Sequence, residues 1–179
     1  SQNGQESISG GRIINVVQRG TVADPSKEPC PACCDPVTPS YSKVYSFGNS
    51  YTDSGNYPEE HWPLAENTWV EYLAQKFNLT LTPSTDGGTN YAWGGAALIE
   101  DYFQQAAQIN IPSIKSQINS VSSFDSTDLV TLFGGANDYI LNRDANYISD
   151  GISENLNLLI SKGAKHIVVL NLMNLNLLP

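Results

Sequence analysis

The chain has 179 residues, 40% of them hydrophobic, with nine basic against eighteen acidic side chains and a net charge of −9. That size suits one domain with a sizeable core, and the apolar content excludes a disordered chain. The acidic balance argues against nucleic acid or an anionic membrane surface as partner, and no apolar run is long enough for stable membrane insertion.

Ser1 to Gly11 is polar and glycine-rich and reads as a flexible end, and the missing initiator Met suggests a processed or trimmed form. Arg12 to Val17 has the composition of one short strand. Asp24 to Pro39 is dense in proline and reads as an extended linker, so residues 1–42 form an amino-terminal segment ahead of a domain at 43–179. The linker holds all three cysteines, Cys30, Cys33 and Cys34. Zinc would need a fourth ligand, and neither His61 nor His166 is near in sequence; the prolines forbid the helix that a redox Cys-x-x-Cys opens. The expectation is a local disulfide in a secreted protein, with one cysteine left for another partner and no metal or cofactor.

Val44 to Phe47 is an apolar, β-prone run that stops at Gly48, and Ser50 follows two residues later. A strand ending in a glycine turn lifts the next side chains off the carboxyl edge of the sheet, where open α/β sheets place their ligands. Taken alone, Gly-Asn-Ser is turn chemistry. Asn67 is positioned to cap a helix carrying Trp69, Val70, Leu73, Ala74 and Phe77 at three- and four-residue spacing. Asn78-Leu79-Thr80 is an N-glycosylation sequon, and Leu79 to Leu81 is a candidate strand cut by Pro83 and the Asp86-Gly87-Gly88 turn.

Asn90-Tyr91-Ala92-Trp93-Gly94-Gly95-Ala96 follows, with paired glycines that permit close approach of backbone N–H groups to a ligand. Ile111, Ile114, Ile118 and Val121 mark one helical stripe, with Pro112 near its first turn. Asp128 to Phe133 is a strand covered on both faces, and it ends in Gly134-Gly135-Ala136-Asn137-Asp138. A helix through Ile148, Ile152, Leu156, Leu159 and Ile160 stops at Gly163, and His166 to Leu170 is a last buried strand. The alternation predicts an α/β fold with a parallel, doubly wound sheet.

Three runs thus end in glycine turns that offer a serine, a backbone N–H pair and an asparagine amide, which is a parts list for acyl transfer. On these residues the chain resembles the GDSL, or SGNH, esterases and lipases. Gly48-Asn49-Ser50-Tyr51 with Asp53-Ser54-Gly55-Asn56 is similar to the family's first block, Asn90 to Ala96 to its second, and Gly135-Ala136-Asn137-Asp138 to its Gly-x-Asn-Asp block. Asn171 to Pro179 is similar to the segment after the fourth strand in longer, secreted members.

The resemblance implies a three-layer, flavodoxin-like parallel sheet, incomplete at its carboxyl end. It makes Ser50 the nucleophile, with its own N–H, the Gly95 N–H and the Asn137 side-chain amide as oxyanion hole, and Gly94 competing with Gly95. Two departures stand out. Asn49 occupies the place of the family's Asp, and the Asp-x-x-His block that supplies the base is absent; His61 and His166 read as structural or surface histidines. The expected activity is hydrolysis of lipid or acetylated-carbohydrate esters, weak or absent without a histidine-bearing segment. The competing reading is a binding or structural module that keeps the esterase fold. The apolar ending at Leu172, Met173, Leu175, Leu177 and Leu178 calls for a covering partner: a second chain carrying the missing Asp and His, a second copy of this chain, or Arg12 to Val17 folding back.

Overall fold

The computed structural model describes residues 12–13, 39–58 and 67–172, with residues 12 and 13 as backbone only. Cys30, Cys33, Cys34, His61 and the stretch from Met173 to Pro179 lie outside the described residues. In chain order the elements are β1 (Arg12–Ile13), β2 (Val44–Gly48), α1 (Trp69–Lys76), a 3-10 turn (Ser84–Asp86), β3 (Tyr102–Gln104), β4 (Ile109–Ile111), α2 (Ile114–Asn119), β5 (Leu129–Phe133), α3 (Ala136–Ile140), α4 (Ala145–Ser161) and β6 (His166–Val169).

Strands β1, β6, β5 and β2 form one parallel sheet in that order, and β3 with β4 makes a separate antiparallel hairpin. The centre is the β2–β5 pair, in register from Val44 against Leu129 to Gly48 against Phe133. All five residues of β5 are buried, as a strand covered on both faces requires. Alternation sends Val44 and Leu129 to one face, where α1 packs Val70 and Ala74 on them. Phe47, Val130 and Leu132 point to the other, against Ile114, Ile118 and Leu159 of α2 and α4. The result is the parallel α/β sheet that the strand–helix alternation predicts, in the three layers that the family resemblance implies. Each fully buried aliphatic side chain of this core contributes about 1.5–3 kcal/mol. No helix among the described residues is long and apolar enough to cross a membrane.

Four local expectations change. The α1 cap is Thr68 rather than Asn67: Thr68 donates from its N–H and its hydroxyl to Glu71 Oε2, at 2.7 and 2.9 Å, the Thr-x-x-Glu half of a capping box. Leu79 to Leu81 is not a strand; the chain instead runs beside β2 at residues 89–93, with Ser46 N–H on the Thr89 carbonyl and Tyr91 N–H on the Ser46 carbonyl. Ile111 belongs to β4, so the stripe it starts is shared between a strand end and α2, whose cap is Ser113. Strand β6 is only half-buried, with His166 and Val169 exposed, because it lies one strand out from the β2–β5 pair.

Candidate active site

The carboxyl ends of β2 and β5 lie side by side, Gly48 against Phe133, so whatever follows each strand meets at one edge of the sheet. After β2 the chain turns at once. Thr52 and Asp53 donate their N–H groups to the Asn49 carbonyl at 2.9 and 3.0 Å, and Asn49 Oδ1 accepts the Tyr51 N–H at 3.1 Å. Asn49 is buried, and this self-made turn is one that an amide forms as well as a carboxylate does. Ser50 sits half-buried at its crest, and neither its hydroxyl nor its N–H has a partner among the described residues.

Asp53 organises what surrounds that serine. Its buried carboxylate accepts N–H groups from Gly55 (2.9 Å) and Asn56 (2.7 Å) on Oδ1, and from Tyr57 (3.0 Å) and Gly94 (2.7 Å) on Oδ2. Burial pushes the Asp53 carboxyl above the ordinary range, and the four backbone donors pull against that rise. Asn56 and Asn90 complete the stitching. Asn56 Nδ2 donates to the Asn90 and Ala92 carbonyls, and Asn90 Nδ2 to the Thr52 carbonyl and Ser54 Oγ. The Asp and Asn residues of the first two motif blocks therefore bind one block to the other.

The paired glycines are not equivalent. The Gly94 N–H is occupied by Asp53, whereas the Gly95 N–H has no acceptor among the described residues. Gly95 is held on both sides: Ala96 N–H closes a turn on the Trp93 carbonyl at 3.1 Å, and Tyr102 Oη donates to the Gly95 carbonyl at 3.0 Å. Its φ is +83°, and a Cβ there would stand 2.6 Å from Tyr102 Oη, so only glycine fits. Trp93 N–H on the Gly48 carbonyl, at 3.1 Å, anchors this loop to the end of β2.

Asn137 lies in the first turn of α3, which begins after Gly135 at φ +101°. Its Nδ2 donates to the Ala96 carbonyl at 2.8 Å, which fixes the amide beside the Gly94–Gly95 loop and leaves its second N–H without an acceptor among the described residues. Next to it, both oxygens of buried Asp138 accept the Leu98 N–H at 3.1 Å, and burial raises that carboxyl too. Serine turn, glycine loop and asparagine turn are thus bound to one another at the same edge of the sheet.

His166 is elsewhere. It opens β6 in register with Leu129, and Leu129 pairs with Val44 at the amino end of β2. Four residue steps separate that end from Gly48, about 13 Å of strand at ~3.3 Å per residue, beyond the reach of a proton transfer to Ser50. Its ring packs edge-on against Tyr41 at 5.3 Å. No histidine among the described residues lies at the serine edge.

Gln117 is the residue that motif reading misses. It is 2% exposed, and its side chain grips both backbone groups of Gly48. The available signal was a polar residue inside the Ile114–Ile118 apolar stripe.

Comparison with known proteins gives the family. The family model of GDSL-like lipases and acylhydrolases matches residues 44–179. The phosphatidylcholine-sterol acyltransferase of Aeromonas hydrophila is 30% identical over 161 residues, 79% of this chain and 47% of that protein. Lipase 1 of Photorhabdus luminescens is 36% identical over 66 residues, 35% of this chain and 10% of that protein. The chain therefore spans less than half the length of either relative. With the family model covering strands β2, β5 and β6, the serine turn, the glycine loop and the asparagine turn alike, the chain belongs to the GDSL-like lipase/acylhydrolase family.

Proposed function

We propose that the chain carries the nucleophile and oxyanion hole of a serine ester hydrolase or acyltransferase acting on lipid esters. Ser50 Oγ attacks the acyl carbon, its proton passes to a base, and the carbonyl oxygen takes the developing negative charge. The N–H groups of Ser50 and Gly95 and the Asn137 amide receive that charge. The C–O bond to the alcohol then breaks as the alcohol takes up the proton, leaving an acyl-serine that water or an acceptor alcohol resolves. The observation carrying this reading is that the Ser50 and Gly95 N–H groups lack acceptors among the described residues, while the neighbouring Gly94 N–H is taken by Asp53. Loss of one such donor costs ~10²–10³ in rate.

The names of the two relatives favour lipid over acetylated carbohydrate. A cavity of about 290 Å³ lies where β5 runs into the asparagine turn, lined by Ile152, Val169, Leu170 and Leu172 together with the polar Ser149, Ser153 and Asn171. The base is a histidine outside the described residues: His61, or one supplied by a further segment of the protein or by a second chain. Secretion belongs to the same proposal and is supported by the exposed Asn78 and Thr80 of the sequon. A mass shift of the native protein on endoglycosidase treatment checks it.

The test is fluorophosphonate labelling of the full chain beside release of fatty acid from phosphatidylcholine vesicles. Wild type should be labelled on Ser50, and Ser50→Ala should lose both signals. Labelling that persists in Ser50→Ala would falsify the assignment. The lack of a histidine at the serine edge among the described residues favours a second reading, a module that binds lipid esters without cleaving them. Saturable vesicle binding with no labelling of wild type would establish that reading instead.

A further inference from the structure

The β2 strand should carry one more backbone rung than it does. Residues 89–93 run parallel to it, with Ser46 N–H on the Thr89 carbonyl, Tyr91 N–H on the Ser46 carbonyl and Trp93 N–H on the Gly48 carbonyl. The regular pattern of a parallel ladder would place the Gly48 N–H on the Tyr91 carbonyl. Instead the Gly48 N–H donates to Gln117 Oε1 at 2.9 Å. Gln117 Nε2 returns a bond to the Gly48 carbonyl at 3.0 Å and a longer one to the Pro112 carbonyl at 3.3 Å. A primary amide has the same donor and acceptor as a peptide group, so the side chain takes the place of a missing strand rung.

We propose that Gln117 is a positioning residue for the reaction, setting the Ser50 turn and the Gly95 loop in register with each other. The proposal rests on the reading of Ser50 as nucleophile. By occupying the Gly48 N–H, the amide allows the 91–95 segment to leave β2 at that rung and turn toward the serine. The Trp93 N–H ties the same segment back two residues later, on the Gly48 carbonyl that the amide also holds in place. Both contacts fall on the residue two before the nucleophile. A Cβ at Gly48 would lie 2.8 Å from the Phe133 carbonyl, so the backbone there has no slack to reposition itself. A shift of about 1 Å between nucleophile and oxyanion donors is enough to cost ~10² in rate.

The experiment compares wild type, Gln117→Met, Gln117→Glu and Ile118→Val in the full chain, at a temperature where all are folded by circular dichroism. Ile118→Val trims the same core without touching the amide. Two quantities are read: fluorophosphonate labelling, split into maximal rate and half-saturating concentration, and amide hydrogen exchange at Gly48 and Trp93. Gln117→Met should lower the maximal labelling rate at least tenfold with half-saturation within about twofold, and should deprotect both amides. Ile118→Val should do neither.

Gln117→Glu should resemble Gln117→Met at neutral pH. It should recover toward the wild-type rate at the same pH as acid protonates it, since a carboxylic acid restores donor and acceptor together. Labelling of Gln117→Met within twofold of wild type overturns the proposal, whatever its stability. If wild type itself is not labelled even with a histidine-bearing segment supplied, the nucleophile reading fails, and with it the role in reaction. The clamp is then judged by exchange alone, where unchanged protection at Gly48 and Trp93 refutes it.

Discussion

Asp53 Oδ2 accepts the Gly94 N–H at 2.7 Å, a direct bond from the turn that carries Ser50 to the paired glycines. It also decides which glycine is left to face a substrate. Asp53→Asn removes the charge and turns part of the acceptor into a donor, so it cannot hold four N–H groups. Ser50 labelling should fall by about 10²-fold, the scale of a misplaced donor. Labelling of the folded variant at the wild-type rate would show that Gly94 needs no such anchor.

Acid titration should show the same group through stability. Burial is the main cause of the raised Asp53 carboxyl, so the native state binds this proton more tightly than the unfolded chain does. The sign follows: Asp53 favours folding below its unfolded value, and that contribution is lost as pH rises through the folded one. Asp138 has the same direction. Relative to Asp53→Asn, wild type should therefore gain stability as the pH is lowered from neutrality through the carboxylate range. Denaturant melts of both proteins across that range measure it, and a relative loss of stability on acidification would reverse the assignment. Activity should move the other way, because a protonated Asp53 holds the Gly94 N–H less firmly.

Gly95→Ala tests fit and chemistry together. The methyl meets Tyr102 Oη and forces a side chain into a left-handed backbone, a strain of about 1–3 kcal/mol. Labelling should fall ~10²–10³-fold as the N–H is displaced. Adding Tyr102→Phe removes the clashing oxygen and should return part of the melting temperature without returning the labelling rate. Recovery of both together would mean that Gly95 matters only for packing.

His166→Ala should leave labelling within about twofold, since the ring is on the far edge of the sheet. A tenfold fall with the fold intact would place His166 in the chemistry and refute the register argument.

Much of this was legible in the chain. Val44–Phe47 and Leu129–Phe133 are β-prone runs ended by glycine, and α4 repeats its apolar positions over many turns, so strand, strand and helix follow from pattern alone. The β3–β4 hairpin escaped because each strand is three residues long and only half-buried, too short for any period to show. Leu79 to Leu81 misled through composition. The segment that does line β2 is bound by the side chains of Asn56, Asn90 and Thr89, contacts no local propensity encodes. The choice between Gly94 and Gly95 was illegible for the same reason: it depends on a carboxylate far away in the chain. Gln117 was visible as a polar interruption of an apolar stripe, but its target was not.

The β2–β5 pairing has a consequence for how the molecule comes into being. Ser46 and Thr131, whose hydroxyls meet at 2.7 Å between those strands, are 85 positions apart, and Gln117 comes 69 positions after Gly48. During synthesis the serine turn leaves the ribosome long before either of its supports exists. Until Phe133 has emerged, β2 lacks its β5 neighbour and has only the 89–93 segment to pair with, and pairing across such a separation is slow because the intervening chain must first be gathered in. Ser50 is therefore made well before the contacts that set its turn. On dilution from denaturant, return of Ser50 labelling should lag behind return of the helical signal, and simultaneous return would argue that the turn forms on its own.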